Sequence, residues 1–451
     1  MTKDMTQGRP LRLIIGFAIP MFLGMLFQQF YNMVDTIIVG QFLGVEPLAG
    51  VGSTGSLNFM VIGFCTGLCN GFAIPVAQKF GARQDDELRK YVANSIWLCA
   101  GFSIVITLAV VLLCRSILTL MKTPEDIFVY AYTYIVIIFA GIPCTVLYNA
   151  LAAIIRSLGD SRTPVVFLAI SSIINIVLDI VFIMAFGMGV EGPALATVIA
   201  QGISGLICLA YVRKKFTILR MSKDDLKPRA SYMYKLCYMG IPMGLQYSVT
   251  AIGSLIIQSA INSFGSIAVA GGTAAQKISM FITCPIESLG ATMAPYSGQN
   301  MGAGKLERVK SGLISASLCG FAASAVLFLI VLLFGSQLPL LFLDTADEQV
   351  INYSYQFLLT ASSGYCLLVL VNAVRFSIQG MGFSVFAVTA GVLEMIARTL
   401  AGTVLVKYFG FTAICCAHVL AWIFADAFLI PAFFHCYKKL KNRRESITAA
   451  A

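Results

Sequence analysis

Residues 13–43 read LIIGFAIPMFLGMLFQQFYNMVDTIIVGQFL, and Asp35 is the sole Asp, Glu, Lys, Arg or His among them. A bilayer takes about 20 apolar residues to cross, so this run is long enough to span one. A carboxylate inside such a helix costs roughly 2.5–3.5 kcal/mol on insertion scales. Asp35 is therefore expected to face a bundle interior or a water-filled cavity and to mark an ion or substrate pathway. A capping or bridging Asp is the plainer alternative. The run is too long for the apolar core of a signal peptide and lacks a small-residue cleavage pattern, so it reads as the first membrane helix.

Runs of the same kind follow. They predict spans near 13–43, 50–77, 92–119, 127–155, 163–187, 191–212, 236–264, 269–297, 311–340, 349–380, 384–407 and 411–437. Composition agrees: 58% of residues are hydrophobic, 12% are charged and mean hydropathy is +0.86. Soluble domains carry about 25% charged residues. The expected fold class is an all-α integral membrane protein with twelve transmembrane helices. Prolines 20, 75, 143, 242, 285 and 295 lie within spans and are expected to mark kinks, since neighbouring helices can satisfy the freed carbonyls.

Lys and Arg crowd one side. The N-terminus and the loops after even-numbered spans hold Lys3, Arg9, Arg12, Lys79, Arg83, Arg89, Lys90, Arg156, Arg162, the run from Arg213 to Lys235, Lys305, Arg308, Lys310 and the tail from Lys438 to Arg444. The opposite side holds Arg115, Lys122 and Lys407. The positive-inside rule then puts both termini in the cytoplasm. The net charge of +10 reflects loops beside anionic lipid rather than nucleic-acid binding. Thirteen cysteines are scattered mostly inside spans without metal spacing, and behave as small hydrophobes. His418 and His435 are isolated, so no metal centre is expected. Gly302-Ala303-Gly304-Lys305 lacks the spacing and the Ser/Thr of an ATP-binding loop.

The chain repeats itself. Ile19-Pro20-Met21 recurs as Ile241-Pro242-Met243, Ala49-Gly50 as Ala270-Gly271, the Gln78 loop as the Gln299 loop, and Asn149 as Asn372. The constant offset implies two pseudo-symmetric six-helix bundles. An even number of spans per repeat makes the repeats parallel, a transporter plan with its site near the midplane. The expected division is a lobe over 1–215 with the cation site, a cytoplasmic basic linker over 216–235, a lobe over 236–440 and a cytoplasmic tail over 441–451.

Polar residues inside spans point to the site. Gln28, Asn32 and Asp35 share one face of the first helix; Asn175 and Asp179 share one face of the fifth; Thr197 lies on the sixth. Asn and Thr could serve merely as interhelical glue. Two carboxylates in one bundle would titrate in coupled steps, and with an amide and a hydroxyl beside them could load a proton or ligate Na⁺. The second repeat differs. It holds Gln246, Thr250 and Ser254 on one face of its first helix, Lys277 and Glu287 on its second, Arg375 on its fourth, and a favourably ordered Glu394–Arg398 pair on its fifth.

These motifs together resemble one family. Ile19-Pro20, Val34-Asp35-Thr36-Ile37-Ile38-Val39-Gly40, Ala49-Gly50, Gly81-Ala82, Arg156-Ser157-Leu158-Gly159-Asp160 and Asn175-Ile176-Val177-Leu178-Asp179 are similar in order and spacing to the multidrug and toxic compound extrusion (MATE) exporters, over about residues 10 to 440. The chain looks closest to the bacterial branch typified by the DNA-damage-inducible protein F exporters. The resemblance implies two lobes in a V around a central cavity. It implies a first-lobe cation site of Asp35, Asn175, Asp179 and Thr197, with Tyr134 of the fourth helix as a further member. No metal cofactor is implied beyond Na⁺ as an option at those residues.

The expected function is secondary-active efflux, with H⁺ or Na⁺ entering as amphipathic, often cationic organic compounds leave. Protonation would bend the first helix around Pro20 and Gly24. Cavity candidates are Gln28, Asn32, Met25, Gln246, Lys277 and Glu287, with adaptable Met and Phe walls. Partners are small drug-like substrates and membrane lipid. The chain is expected to be a non-enzymatic monomer in a bacterial inner membrane. A lipid-linked oligosaccharide flippase is the rival within transport; a membrane enzyme or receptor is the rival outside it.

Overall fold

A computed structural model describes residues 4–341 and 347–450, without side chains for 447–450. The described residues contain helices and turns and no strand. In lipid this is the expected solution, because a helix satisfies its own backbone groups. The first repeat supplies α1 (Pro10–Leu43), α2 (Val45–Ser53), α3 (Gly55–Gly81), α4 (Asp85–Leu120), α5 (Glu125–Ala140), α6 (Ile142–Ser157), α7 (Arg162–Ile180) and α8 (Glu191–Lys215). The second supplies α9 (Ala230–Asn262), α10 (Ser266–Gly302), α11 (Leu306–Phe334), α12 (Glu348–Ser363), α13 (Tyr365–Gly380), α14 (Ser384–Leu400), α15 (Val406–Phe409) and α16 (Phe411–Ala450).

Among the described residues, ten helices are long and apolar enough to cross a membrane. Two further pairs, α5 with α6 and α12 with α13, qualify as broken spans bent by 49° and 52°, which brings the count to twelve. These breaks fall at Gly141 and Gly364, not generally at prolines. Pro20, Pro75, Pro242, Pro285 and Pro295 lie inside continuous helices, and only Pro143 adjoins a break. Close packing explains the choice. A Cβ on Gly141 would stand 2.2 Å from Val198 Cγ2, and one on Gly364 would stand 2.8 Å from Val419 Cγ2. The repeat also shows in its turns: Gly44 and Gly265, each just after the first helix of its repeat, take φ of +96° and +87°, where glycine carries no Cβ penalty.

The chain forms two compact units. One comprises Leu23–Tyr247; the other comprises Asp4–Phe22 and the described residues from Ser248 onward. The division passes through α1 and α9, so the opening turns of each repeat pack in the unit built mainly from the other repeat. Two small-residue motifs fix the start of α9 in the first unit. A Cβ on Gly67 or Gly71 would lie 2.4 Å from Met243 O or Gly240 Cα, and one on Gly240 would lie 2.4 Å from Phe72 Cε1. Such spacing is how membrane helices gain contact when lipid supplies no hydrophobic drive.

The segment before each first helix is tied down as well. In the second unit the Met5 amide donates to Gln299 Oε1 at 2.9 Å, and Asn300 Nδ2 donates to the Met5 carbonyl at 3.1 Å. Lys305 Nζ donates to the Thr6 carbonyl at 2.9 Å. In the first unit the linker docks on α4: the Arg229 amide donates to Asn94 Oδ1 at 2.9 Å, and Trp97 Nε1 donates to the Leu226 carbonyl at 2.9 Å. Asp225 Oδ2 accepts from the Ser222 amide at 2.8 Å and from Arg89 Nε at 3.4 Å. The Ser222 amide, seconded by its hydroxyl and by Arg89, holds the Asp225 carboxyl below the usual carboxylate range.

Candidate functional site

Four helices of the first unit bring polar side chains to one place. From α1 come Gln28, Tyr31 and Asp35 at i, i+3 and i+7, one helical face. From α7 come Ser171, Asn175 and Asp179 at i, i+4 and i+8. Helix α8 adds Thr197 and Gln201, and α5 adds the buried Tyr134. Directly after Asp179 the chain makes a π-helical turn over Val181–Ala185. Such turns add a residue to the helix and recur at functional sites.

A short hydrogen-bonded chain links the wall. Tyr31 Oη and Thr197 Oγ1 are 3.1 Å apart, and Asn175 Nδ2 donates to Thr197 Oγ1 at 3.2 Å. The carboxyls of Asp35 and Asp179 are close neighbours, with Tyr134 near both. Asn175 is 1% exposed and Asp179 is fully buried. A narrow pocket lined by Gln28, Tyr31, Ser171, Asn175, Thr197 and Gln201 adjoins them.

The balance of donors and acceptors is the telling property. Asp35 Oδ1, both oxygens of Asp179, Asn175 Oδ1 and Gln201 Oε1 are buried without a hydrogen-bond partner among the described residues. Buried oxygens are normally satisfied. A cluster of acceptors lacking donors is chemically a receptor for a proton or a small hard cation, which would supply the missing positive charge.

Five expected cation ligands, Asp35, Tyr134, Asn175, Asp179 and Thr197, thus gather in one unit. Of the cavity candidates, Gln28 lines the pocket. Asn32 does not: it is exposed and donates to Gln29 Oε1 at 3.5 Å, and Tyr31 is the residue of that turn that enters the site. Met25 is half-buried one turn earlier. Gln246 is buried in the first unit. Lys277 and Glu287 lie on α10 in the second unit, and no ion pair joins them among the described residues. Glu287 Oε1 accepts from Thr283 Oγ1 at 3.1 Å. Tyr31 and Gln201 escaped the sequence reading, though the first shares a face with Asp35 and the second follows Thr197 by one turn.

A family description, MatE, matches residues 20–181 and again residues 242–404. The chain belongs to the MatE family. The two matches reproduce the internal repeat at the expected offset. Among similar MatE proteins, the probable multidrug resistance protein YpnP of Bacillus subtilis is 32% identical over 78% of this chain and 79% of its own length. The probable multidrug resistance protein YoeA of the same organism is 28% identical over 78% of this chain and 77% of its own. The fold matches a solved outward-facing multidrug resistance MATE transporter of the MOP superfamily, with a TM-score of 0.90, 23% identity and coverage of 98% of this chain and 99% of that one. This MatE chain is accordingly a multi-pass membrane protein of a transporter family.

The second unit of this MatE protein carries no copy of the facing carboxyl pair among its described residues. Glu394 there is buried between two arginines. It accepts from Arg375 through Oε1 and from Arg398 Nη2 through Oε2 at 3.4 Å. The expected intrahelical pair is present, and Arg375 of α13 joins it.

Proposed function

We propose that this chain is a secondary-active exporter in which a proton or Na⁺ bound at Asp35 and Asp179 drives amphipathic, often cationic organic compounds out of the cell. The acceptor-rich, donor-poor cluster carries the reading: its buried oxygens need a positive partner that can arrive and leave. Asn175, Thr197, Tyr134 and Tyr31 would complete the ligand shell. The multidrug names of the relatives support the substrate class.

Coupling requires that the cation favour one of two states through differential affinity. Helix α1 is the element placed to respond. It carries Asp35, and the boundary between the compact units passes through it at Phe22–Leu23, between Pro20 and Gly24. A Cβ on Gly24 would lie 2.9 Å from Val165 Cγ2, so α1 and α7 are packed closely where bending would begin. The sequence repeats over 1–215 and 236–440 act as the two lobes, joined by 216–235, with both termini and the 441–451 tail cytoplasmic. The protein works as a monomer of the branch typified by the DNA-damage-inducible protein F exporters. A flippase for pyrophosphate-linked sugars would want free guanidinium groups. Arg375 and Arg398 are instead engaged by Glu394.

The test is efflux of a fluorescent organic cation from vesicles containing the purified protein, under an imposed pH gradient or an imposed Na⁺ gradient. One gradient should drive efflux and Asp35→Asn should abolish it. Equal efflux with neither gradient applied would refute the exporter reading.

A further inference from the structure

Asp426 of α16 is 5% exposed, and neither of its carboxyl oxygens meets a hydrogen-bond partner among the described residues. It lies beside Arg375 of α13 and Glu394 of α14. Glu394 takes one Nη2 from each arginine, yet among the described residues Arg375 Nε and Arg398 Nε and Nη1 remain buried without acceptors. Asp426 and its neighbour Arg375 are thus both buried with unsatisfied polar atoms.

On α16 itself His418 lies near Arg398, with its ring edge-on to Phe357 and tilted against Trp422. Helix α12 has Glu348 at its first position and no further charge, and α15 contributes the exposed Lys407. From α9, Gly253 packs on Arg398, 3.1 Å from its Nη1 to a Cβ built there.

An ionised Asp426 would make the four side chains electrically neutral, but a buried carboxylate without a donor bears the full cost of an uncompensated charge. A protonated carboxyl without a partner bears only the smaller cost of an unmade neutral hydrogen bond. The arrangement seen, with both arginines on Glu394, is the one that suits a protonated Asp426. Loss of that proton to water leaves a carboxylate beside Arg375, whose Nε lacks an acceptor among the described residues. We propose that Asp426 is a second proton-binding group, in the unit that lacks the carboxyl pair, and that its proton decides whether Arg375 serves Glu394 or Asp426. The exchange moves an ion pair from the α13–α14 contact to the α13–α16 contact. Helix α13 is the second limb of the tenth span, which is bent at Gly364 against Val419 and Trp422 of α16. The site offers a hard metal cation too few oxygen ligands, so the ligand is a proton and not Na⁺.

This proposal does not rest on the exporter reading, and it can be tested without transport. Infrared difference spectra of the purified full-length protein, taken between acidic and alkaline buffer, report the carbonyl stretch of protonated carboxyls. Asp426→Asn should remove one component that persists in the Asp35→Asn/Asp179→Asn double variant and does not respond to Na⁺. A spectrum of Asp426→Asn identical to wild type overturns the proposal, and so does a component that Na⁺ abolishes. Should Asp426→Asn fail to fold, Asp426→Glu retains a carboxyl in a longer side chain. It should shift that component and its titration midpoint, and an unshifted component again overturns the proposal.

Discussion

Asp179→Asn probes the coupling site most directly. The substitution keeps size and a hydrogen-bonding head while removing one of two facing carboxyls. If the pair surrenders a shared proton, two like charges about 4 Å apart at an effective dielectric constant of about 20 repel by about 4 kcal/mol. At about 1.4 kcal/mol per tenfold, that is a bias of nearly a thousandfold between loaded and empty states. Driving a two-state equilibrium from about 1:99 to 99:1 takes about 5.5 kcal/mol, so the pair supplies most of the requirement. With Asn at 179 the repulsion is gone, and gradient-driven efflux should fall by about a hundredfold or more. Folding should survive, because neutralising a buried charge relieves its desolvation. Substrate binding should stay within about threefold, since the change removes a bias between states rather than a wall of the cavity. The assay is efflux from vesicles alongside direct binding, for Asp179→Asn and Asp35→Asn, over about pH 5.5–8.5 to bracket neutrality. Wild-type efflux with an unchanged pH profile in both variants would refute the mechanism.

Other consequences can be checked independently. Single cysteines at Lys223 and Lys305 in a cysteine-free background should react only from the cytoplasmic side; labelling of both from outside intact cells would reverse the orientation. Glu394→Gln removes the negative charge shared by two buried arginines, turns one of its two acceptor oxygens into a donor, and should cost about 3–5 kcal/mol. A variant as heat-stable as wild type would show that the ion pairs are not structural. Gly71→Leu would drive a side chain into the Gly240 backbone, where a bare Cβ already stands at 2.4 Å, and should destabilise by about 1–3 kcal/mol or more. Unchanged thermal unfolding would contradict the close α3–α9 contact. Because its folded-state pKa is held low, Asp225 contributes linker stability at neutral pH that is lost as pH falls through that value. Asp225→Asn should therefore speed proteolysis within the linker at neutral pH, and the difference from wild type should shrink as pH falls below the ordinary Asp value. Equal cleavage rates at neutral pH would argue that Asp225 does not hold the linker.

The sequence alone determined what depends on local chemistry. Long apolar runs set the spans, because lipid leaves a backbone few options. The constant offset exposed two repeats, later matched by the two MatE segments. Lone carboxylates in apolar runs singled out Asp35 and Asp179, because a charge there must be justified by its surroundings. The same rule would reach Asp426, the sole Asp or Glu in the last span, which the sequence reading passed over; its neighbours Arg375 and Glu394 come from distant segments. Tertiary structure decided what depends on which helix faces which. Helical period places Gln28, Asn32 and Asp35 on one broad face, but the position of α8 decides that Tyr31, not Asn32, reaches Thr197. Likewise the bends in the fourth and tenth spans fall at Gly141 and Gly364 because Val198 and Val419 press there, a contact invisible to a rule that looks for proline. The division of α1 and α9 between compact units is of the same kind: each is one unbroken helix in sequence, and only packing partners assign its two halves to different units.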